Sequence, residues 1–518
     1  NTYIVNVRAT DLEGNTSDQT VTINVTDIDE TSPVIISTKD WIQIGSDFQG
    51  GYGNRLGSSI SLSADGSILA IGSSYGGGSN YSGQVDIYER NDDSWTRIGS
   101  SISGEGYSEL FGYSSSLSND GLVLAIGAPS SDQSSTHAFR GRVDIYTYIN
   151  NDWSKVASFY GQAANDSFGK SVSLSADGST IAVGANRNDD GGNESGHTRI
   201  FRNYDGTWNQ LGGSINGLSG ENSGLAVSLS DDGNIVAIGA PFSQAGGNTS
   251  GAVRVYQNID NSWTLISPTI YDGSTRYPEW LGYSVSISGD GSTVATGAPL
   301  ALGGGMNSSR AGSNLIFNRQ GDKWVKVGQI NGELRGDESG ERIHLSDDGS
   351  TVAVYSLNND AGGMYYDNNG HVRVFKNINN IWTKIGADFD GVKIPRTEWN
   401  SAEFNNIFGD VKLSADGNIL AIGDPNVDNT NGAVNGRAKV YEYRAVNTIQ
   451  ENITDIYTFN ANETVTWSLS GGADLALFNI DSSTGALTFK TAPDFENPGD
   501  ADSNNTYIVN VRATDLEG

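Results

Sequence analysis

The chain has 518 residues, no cysteine, and 61 acidic against 31 basic side chains, a formal charge of −30. The missing cysteines exclude disulfides, thiolate catalysis and cysteine-ligated zinc. The acidic balance excludes a general nucleic-acid binder, whose phosphate contacts need Lys and Arg, and no run approaches the ~18 apolar residues of a membrane span. Low lysine with abundant Asp, Asn, Gly and Ser points to an extracellular protein at the cell surface. The opening Asn1-Thr2-Tyr3-Ile4-Val5 reads as the middle of a strand rather than a signal peptide, and predicts a piece of something larger.

In chain order, the first predicted element is the strand that Asn1–Val5 lies within. From Trp41 onward two markers recur in step. Ser61-Leu62-Ser63-Ala64-Asp65-Gly66 returns in units whose Asp residues are Asp65, Asp120, Asp177, Asp232, Asp290, Asp348 and Asp416, spaced by 55 to 68 residues. Trp41, Trp95, Trp153, Trp208, Trp263, Trp324 and Trp382 each open a Trp-x-x-apolar segment. Each unit predicts four short strands: Gly-x-Ser-x-Ser-Leu-Ser, an Asp-Gly hairpin turn, an unbroken apolar run such as Ile68–Gly72, an alternating strand such as Val85–Tyr88, and the Trp strand. A continuous apolar run implies burial on both faces. Four-stranded sheets buried on both faces and repeated this way predict a seven-bladed β-propeller.

Trp41 precedes the first Ser-Leu-Ser unit, and the last unit ends at Tyr441-Glu442-Tyr443 without a Trp strand. Laying residues 41–45 beside 437–443 therefore closes the ring and removes two open edges. Residues 505–518 repeat residues 1–14 without a change, a period of 504 that predicts a tandem array. The expected division is 1–36 as the last strands and exit linker of one domain, 37–444 as the propeller, and 445–518 as a domain lacking its final strand.

Two family resemblances follow from these motifs. Tyr3–Asp11 and Val21–Asp29, with Glu451-Asn452, Phe478-Asn479-Ile480-Asp481, Thr484-Gly485-Ala486-Leu487 and Asp494-Phe495-Glu496, resemble in order the motifs of a cadherin-like domain. That resemblance implies a seven-stranded β-sandwich with Ca²⁺ at its junctions. It nominates Asp27, Asp29, Glu451, Asp494 and Glu496 for one site, and Asp11 with its copy Asp515 near the opposite pole. The exit linker Asp27-Ile28-Asp29-Glu30-Thr31 lacks the two Asn of the family pattern. Phe111-Gly112, Phe168-Gly169 and Phe408-Gly409, with Gly127-Ala128-Pro129, Gly239-Ala240-Pro241 and Gly297-Ala298-Pro299, resemble the FG-GAP repeats of integrin α-subunit propellers. The calcium loops of those propellers are not found here.

The Asp-Gly carboxylates are expected to serve their own turns, and the Trp series to pack blade edges. The four His residues fall in different units, and no acid/base cluster can be assembled, so no catalytic residue is expected. Ligand candidates lie in the loops after the second and fourth strands: Tyr52, Tyr75, Tyr81, Tyr107, Tyr277, Trp280, Tyr365, Tyr366 and Trp399. Aromatics amid Gly, Asn and Ser suit sugars or protein loops. The expected function is a non-catalytic repeat module of a giant extracellular adhesin or surface filament, self-associating with adjacent copies through the sandwich strands. The alternative is a propeller that captures a glycan or protein.

Overall fold

A computed structural model describes residues 2–10, 16–26, 36–77, 80–131, 139–247, 249–271, 278–302, 310–358, 370–391, 409–425, 435–450, 454–459, 465–494, 499–500 and 507–515. The chain divides into two compact units: Gln43–Tyr441, and Asn1–Ile42 together with Glu442–Gly518.

The larger unit is built of antiparallel four-stranded meanders, as in a β-propeller. Leu56–Leu62, Ile68–Ser73, Gln84–Asn91 and Ser94–Arg97 form the first. The pattern recurs in the sheets that begin at Ser114–Leu117, Ser171–Leu174, Val227–Leu229, Ser284–Ile287 and Ser339–Leu345. Asp410–Leu413 and Ile419–Asp424 start another, continued by the opening residues of Arg437–Gln450. The second strand of these sheets is buried throughout in Ile68–Ser73, Thr180–Ala185, Thr293–Ala298 and Thr351–Ser356, as its unbroken apolar run requires. The first strands contact one another in chain order, and Asp410–Leu413 returns to contact Leu56–Leu62.

The repeated sequence motifs are the contacts of these seams. In the turn, Ser63 Oγ donates to Asp65 Oδ1 (2.7 Å), which also accepts the Ser67 N–H (2.9 Å), while Ser63 Oγ accepts the Ile68 N–H (2.8 Å) and Gly66 takes a φ of 69°. Asp120, Asp177, Asp232, Asp290, Asp348 and Asp416 make the same bonds. The turns then bond to each other: Ala64 N–H to Asn119 O, Asn119 to Ala176, Ala176 to Asp231, Asp231 to Gly289, Gly289 to Asp347, Asp348 to Ala415, and Ala415 back to Ala64. Behind them, backbone meets backbone at glycine. A Cβ on Gly72 would stand 2.2 Å from Gly112 O, one on Gly184 2.0 Å from Gly224 O, one on Gly297 1.9 Å from Gly340 O, and one on Gly423 2.3 Å from Gly57 O. No other residue fits there.

The Trp strands pack the outer edge in the same stepwise way. The Trp95 indole N–H donates to Ile44 O (3.2 Å) and that of Trp263 to Leu211 O (2.8 Å). Within the sheets the residue three past Trp bonds the third strand, as Ile98 N–H to Ile87 O (2.9 Å) and Leu211 N–H to Ile200 O (2.8 Å); Ile44 N–H makes the matching bond to Val440 O (2.8 Å). Two buried ion pairs stiffen the loops ahead of the first strands. Glu221 accepts two bonds from the Arg254 guanidinium at 2.8 Å each, and Glu109 pairs with Arg142 at 3.0 Å.

In the smaller unit, Asp455–Thr458, Ala486–Phe489 and Phe478–Ile480 form one sheet. In the other, Val465–Gly471 lies antiparallel to Ile508–Asp515, and Thr2–Thr10 antiparallel to Thr16–Thr26. One core holds Phe459, Trp467, Phe478, Leu487, Phe489, Tyr507 and Val509. Asp481 accepts the Ser483 and Thr484 N–H groups (2.9 and 2.8 Å) in a turn ahead of Gly485. Thr2–Thr10 runs parallel to Ile508–Asp515, and identical residues sit opposite each other from Ile4↔Ile508 to Thr10↔Thr514. The edge expected to stand open is thus covered by a strand from the other end of the same chain. Trp41 packs on Tyr443, ring centroids 5.2 Å apart.

Candidate functional site

At the inner end of each sheet, one side chain of the first strand accepts an N–H from the first strand of the next. Leu117 N–H bonds Ser61 Oγ (2.8 Å), Leu174 bonds Ser116 (3.0 Å), Leu229 bonds Ser173 (3.0 Å), Ile287 bonds Ser228 (3.1 Å) and Leu345 bonds Ser286 (3.0 Å). Leu413 N–H bonds His344 Nδ1 (3.1 Å). Lys412 stands where the others carry Ser or His, and an ammonium cannot accept. At that seam Asp410 Oδ2 takes the Ile60 N–H instead (2.9 Å).

These strands enclose a cavity of about 520 Å³. Lys170, Arg187, Arg342 and Lys412 line it, and Asp410 is the one lining carboxylate among the described residues. In a chain with twice as many acids as bases this is a reversal of sign. Lys170 Nζ donates to the Tyr113 hydroxyl (2.5 Å) and lies 4.1 Å from that ring's centroid. Burial alone would push the Tyr113 phenol up; Lys170 and Arg342 outweigh it and hold it below the usual tyrosine range. Burial raises the Asp410 carboxyl against the pull of Arg342 and Lys412, and lowers Lys412 against Asp410 and Asp347. Behind the wall, burial pushes Glu341 up to about 8, Arg342 opposing and Glu338 adding, so it is largely neutral at pH 7.

His344 gives the cavity a pH dependence. Burial, with Lys412 nearby, holds its imidazole well below the usual 6.5. The folded state therefore favours the neutral ring, and its Nδ1 is occupied as an acceptor. This contribution is full above the unfolded value near 6.5 and is lost as pH falls below it, because the unfolded chain takes up the proton. His344→Ser restores the residue most seams use. Denaturation between pH 7 and 5 should show a smaller loss of stability for His344→Ser than for the parent; equal slopes would remove His344 as the cause.

Of the ligand candidates, Tyr52 and Tyr107 are exposed, and Tyr75 is half-buried under the Arg55 guanidinium, 4.6 Å from its ring. Trp280 stacks on Tyr283 (6.0 Å) and meets Phe242 edge-on (5.3 Å), and both partners line the cavity. Tyr277, Tyr365, Tyr366 and Trp399 lie outside the described residues, as do Asp11, Asp27, Asp29, Glu451 and Glu496 of the calcium set. Asp494 is described and exposed; Asp515 ends the strand Ile508–Asp515. The charged lining of the cavity was missed in the sequence. Its signal was a break in the repeat, where Ser-x-Ser becomes Arg342-Ile343-His344 and Asp410-Val411-Lys412.

Glu333, His371 and Asp388 bring ligand atoms within 4.8 Å of one another. Arg373 pairs with Glu333 (3.2 Å) and Lys384 with Asp388 (2.8 Å), so cations of the chain already neutralise this group. The Asp-Gly carboxylates are spent on their turns: burial pushes Asp65, Asp177, Asp232, Asp290 and Asp416 up, but the Ser and backbone bonds leave them below the usual range.

No curated protein matches the chain. A periplasmic gluconolactonase of Pseudomonas aeruginosa is similar in structure over 65% of this chain and 86% of its own, at 16% identity and a TM-score of 0.45. A family model described as FG-GAP repeat matches residues 155–201. That stretch runs from one Trp strand through Phe168-Gly169 to the next third strand, and with the four-stranded antiparallel sheets it supports a β-propeller for the larger unit.

Proposed function

We propose that the chain is a non-catalytic tandem-repeat module of a giant extracellular adhesin or surface filament. It joins a seven-bladed β-propeller, closed by the N-terminal Trp strand, to a cadherin-like β-sandwich divided between residues 1–36 and 445–518. The carrying observation is the repeat of residues 1–14 at 505–518, with the two copies side by side in one sheet. Seven blades are supported by the first-strand contacts that return to their start. The closure is supported by the Ile44–Val440 bond, which matches Ile98–Ile87 inside a complete sheet. Deleting residues 37–46 should expose the edge of Arg437–Gln450 and lower the melting temperature by several degrees; an unchanged melt would sink the closure.

Adjacent copies are the proposed partners, and Ca²⁺ at the junction carboxylates is the proposed cofactor, the ion resting on the cadherin-like motifs alone. The strand Thr2–Thr10 that covers Ile508–Asp515 within one chain should exchange between copies, so that the 518-residue chain forms concentration-dependent oligomers in light scattering. Extending it after Gly518 with the sequence of residues 15–36 supplies the antiparallel partner that Thr2–Thr10 has in Thr16–Thr26, and should suppress them. Ca²⁺ added to the extended chain should raise its melting temperature by mass action. Two equally monomeric samples remove self-association, and an unchanged melt removes the ion.

A second reading, a propeller that binds a glycan or protein, is favoured by the cavity. Pro129, Ser130, Arg187 and Phe242, from the loops after second strands, border it.

A further inference from the structure

The cavity of the larger unit collects hydroxyl donors and cations in a chain that is short of cations. Arg342 and Lys412 reach it from two first strands, Lys170 from just ahead of a third, Ser171–Leu174, and Arg187 stands exposed on a loop that borders it. Ser173, Ser228 and Ser286, also in the lining, each accept a backbone N–H, which leaves the hydroxyl hydrogen to donate. Asp410 and Asp347 are the carboxylates that act on Lys412, and burial outweighs them. An ammonium so held is only partly compensated, and a further counter-charge lowers the cost.

We propose that this cavity binds a small organic anion rich in acceptor oxygens, of the class of sugar acids and sugar phosphates, with its charged group between Lys170, Arg342 and Lys412. The chemistry follows from what lines the space. Four cations against Asp410 leave a net positive chamber, and charge-assisted bonds to a carboxylate or phosphate are about twice as strong as neutral ones. Hydroxyl donors around the cations match the oxygens of a sugar. The volume, about 520 Å³, is far more than a bare phosphate fills and falls within the range of roughly 300–1,000 Å³ typical of small-molecule sites. Burial depresses Lys412, and an anion beside it would restore its charge. The inference concerns residues of Gln43–Tyr441 alone, so it stands or falls separately from the tandem-module reading.

The test is calorimetry on the full 518-residue chain with glucuronate, glucose 6-phosphate, glucose and inorganic phosphate, each separately. The two anionic sugars should bind, phosphate more weakly, and glucose not at all up to about 10 mM. Lys412→Ser, which installs the residue most seams carry, and Lys170→Gln should each weaken binding by roughly tenfold or more, about the 1.4 kcal/mol of one charge-assisted bond. Both should melt like the parent, and Lys323→Gln on an outer strand should change nothing. No binding by either anionic sugar, equal binding of glucose, phosphate binding as tightly as the sugars, or affinity untouched in both cavity variants would each overturn the proposal.

Discussion

Gly297→Ala should cost about 4 kcal/mol or more and leave little folded protein at ambient temperature. The added Cβ would stand 1.9 Å from Gly340 O and 2.5 Å from Ser284 Oγ. The first of these is backbone of the neighbouring first strand, itself tied by the Ser284 Oγ–Gly340 O bond of 2.7 Å. Overpacking against a side chain costs roughly 1–3 kcal/mol because rotamers yield. Here nothing can rotate away, so the seam must open. Gly213→Ala is the control, since a Cβ there meets nothing within 4 Å; it should stay within about 0.5 kcal/mol of the parent. Urea unfolding of both variants decides the matter, and two near-neutral values would mean that the seam is looser than its glycines imply.

Glu221→Ala should destabilise the chain by about 3–5 kcal/mol, the usual cost of stranding one member of a buried ion pair. Glu221 and Arg254 are both largely buried, and the carboxylate also accepts the Ser243 hydroxyl (2.7 Å) and the Leu218 N–H (2.9 Å). The double variant Glu221→Met, Arg254→Met should recover most of that loss, because no uncompensated charge remains. The pair also has a pH signature. Burial raises the Glu221 carboxyl, but the Arg254 bond leads the groups that bring it below its usual 4.5. Its contribution is therefore present above about pH 4.5 and is lost as pH falls through the folded value. A double variant as unstable as the single one would show that the loss comes from packing and not from charge.

The repeat was legible because the Ser–Asp turn does the same local job seven times and the Trp strand keeps step with it. Ser63 and Asp65 close a turn, and Trp95 seats on the segment before it, so strand order and hairpin positions could be read from spacing alone. The cavity was not legible from composition. Arg342 lies 172 residues after Lys170 and 70 before Lys412, and only comparing units position by position reveals that Lys412 replaces a serine. The sequence pointed to the rim, where Trp280 does reach the cavity through Tyr283, while Tyr52 and Tyr107 stand exposed. The pairing of Thr2–Thr10 with Ile508–Asp515 left no local trace, since nothing in an alternating strand says which edge it will take.

The bond between Ile60 and Asp410 joins residues 350 positions apart. Closing a loop of that length costs about 5 kcal/mol of chain entropy by the logarithmic rule, and no single hydrogen bond returns that much. The last seam therefore forms only when its turn, glycine and strand contacts arrive together, and contacts this far apart in sequence are expected to slow folding. The same arithmetic runs in reverse. An open ring has lost every contact of one seam before it has gained the freedom of the loop, so opening meets a high barrier, and the lifetime of the closed ring is set by kinetics as much as by its free energy.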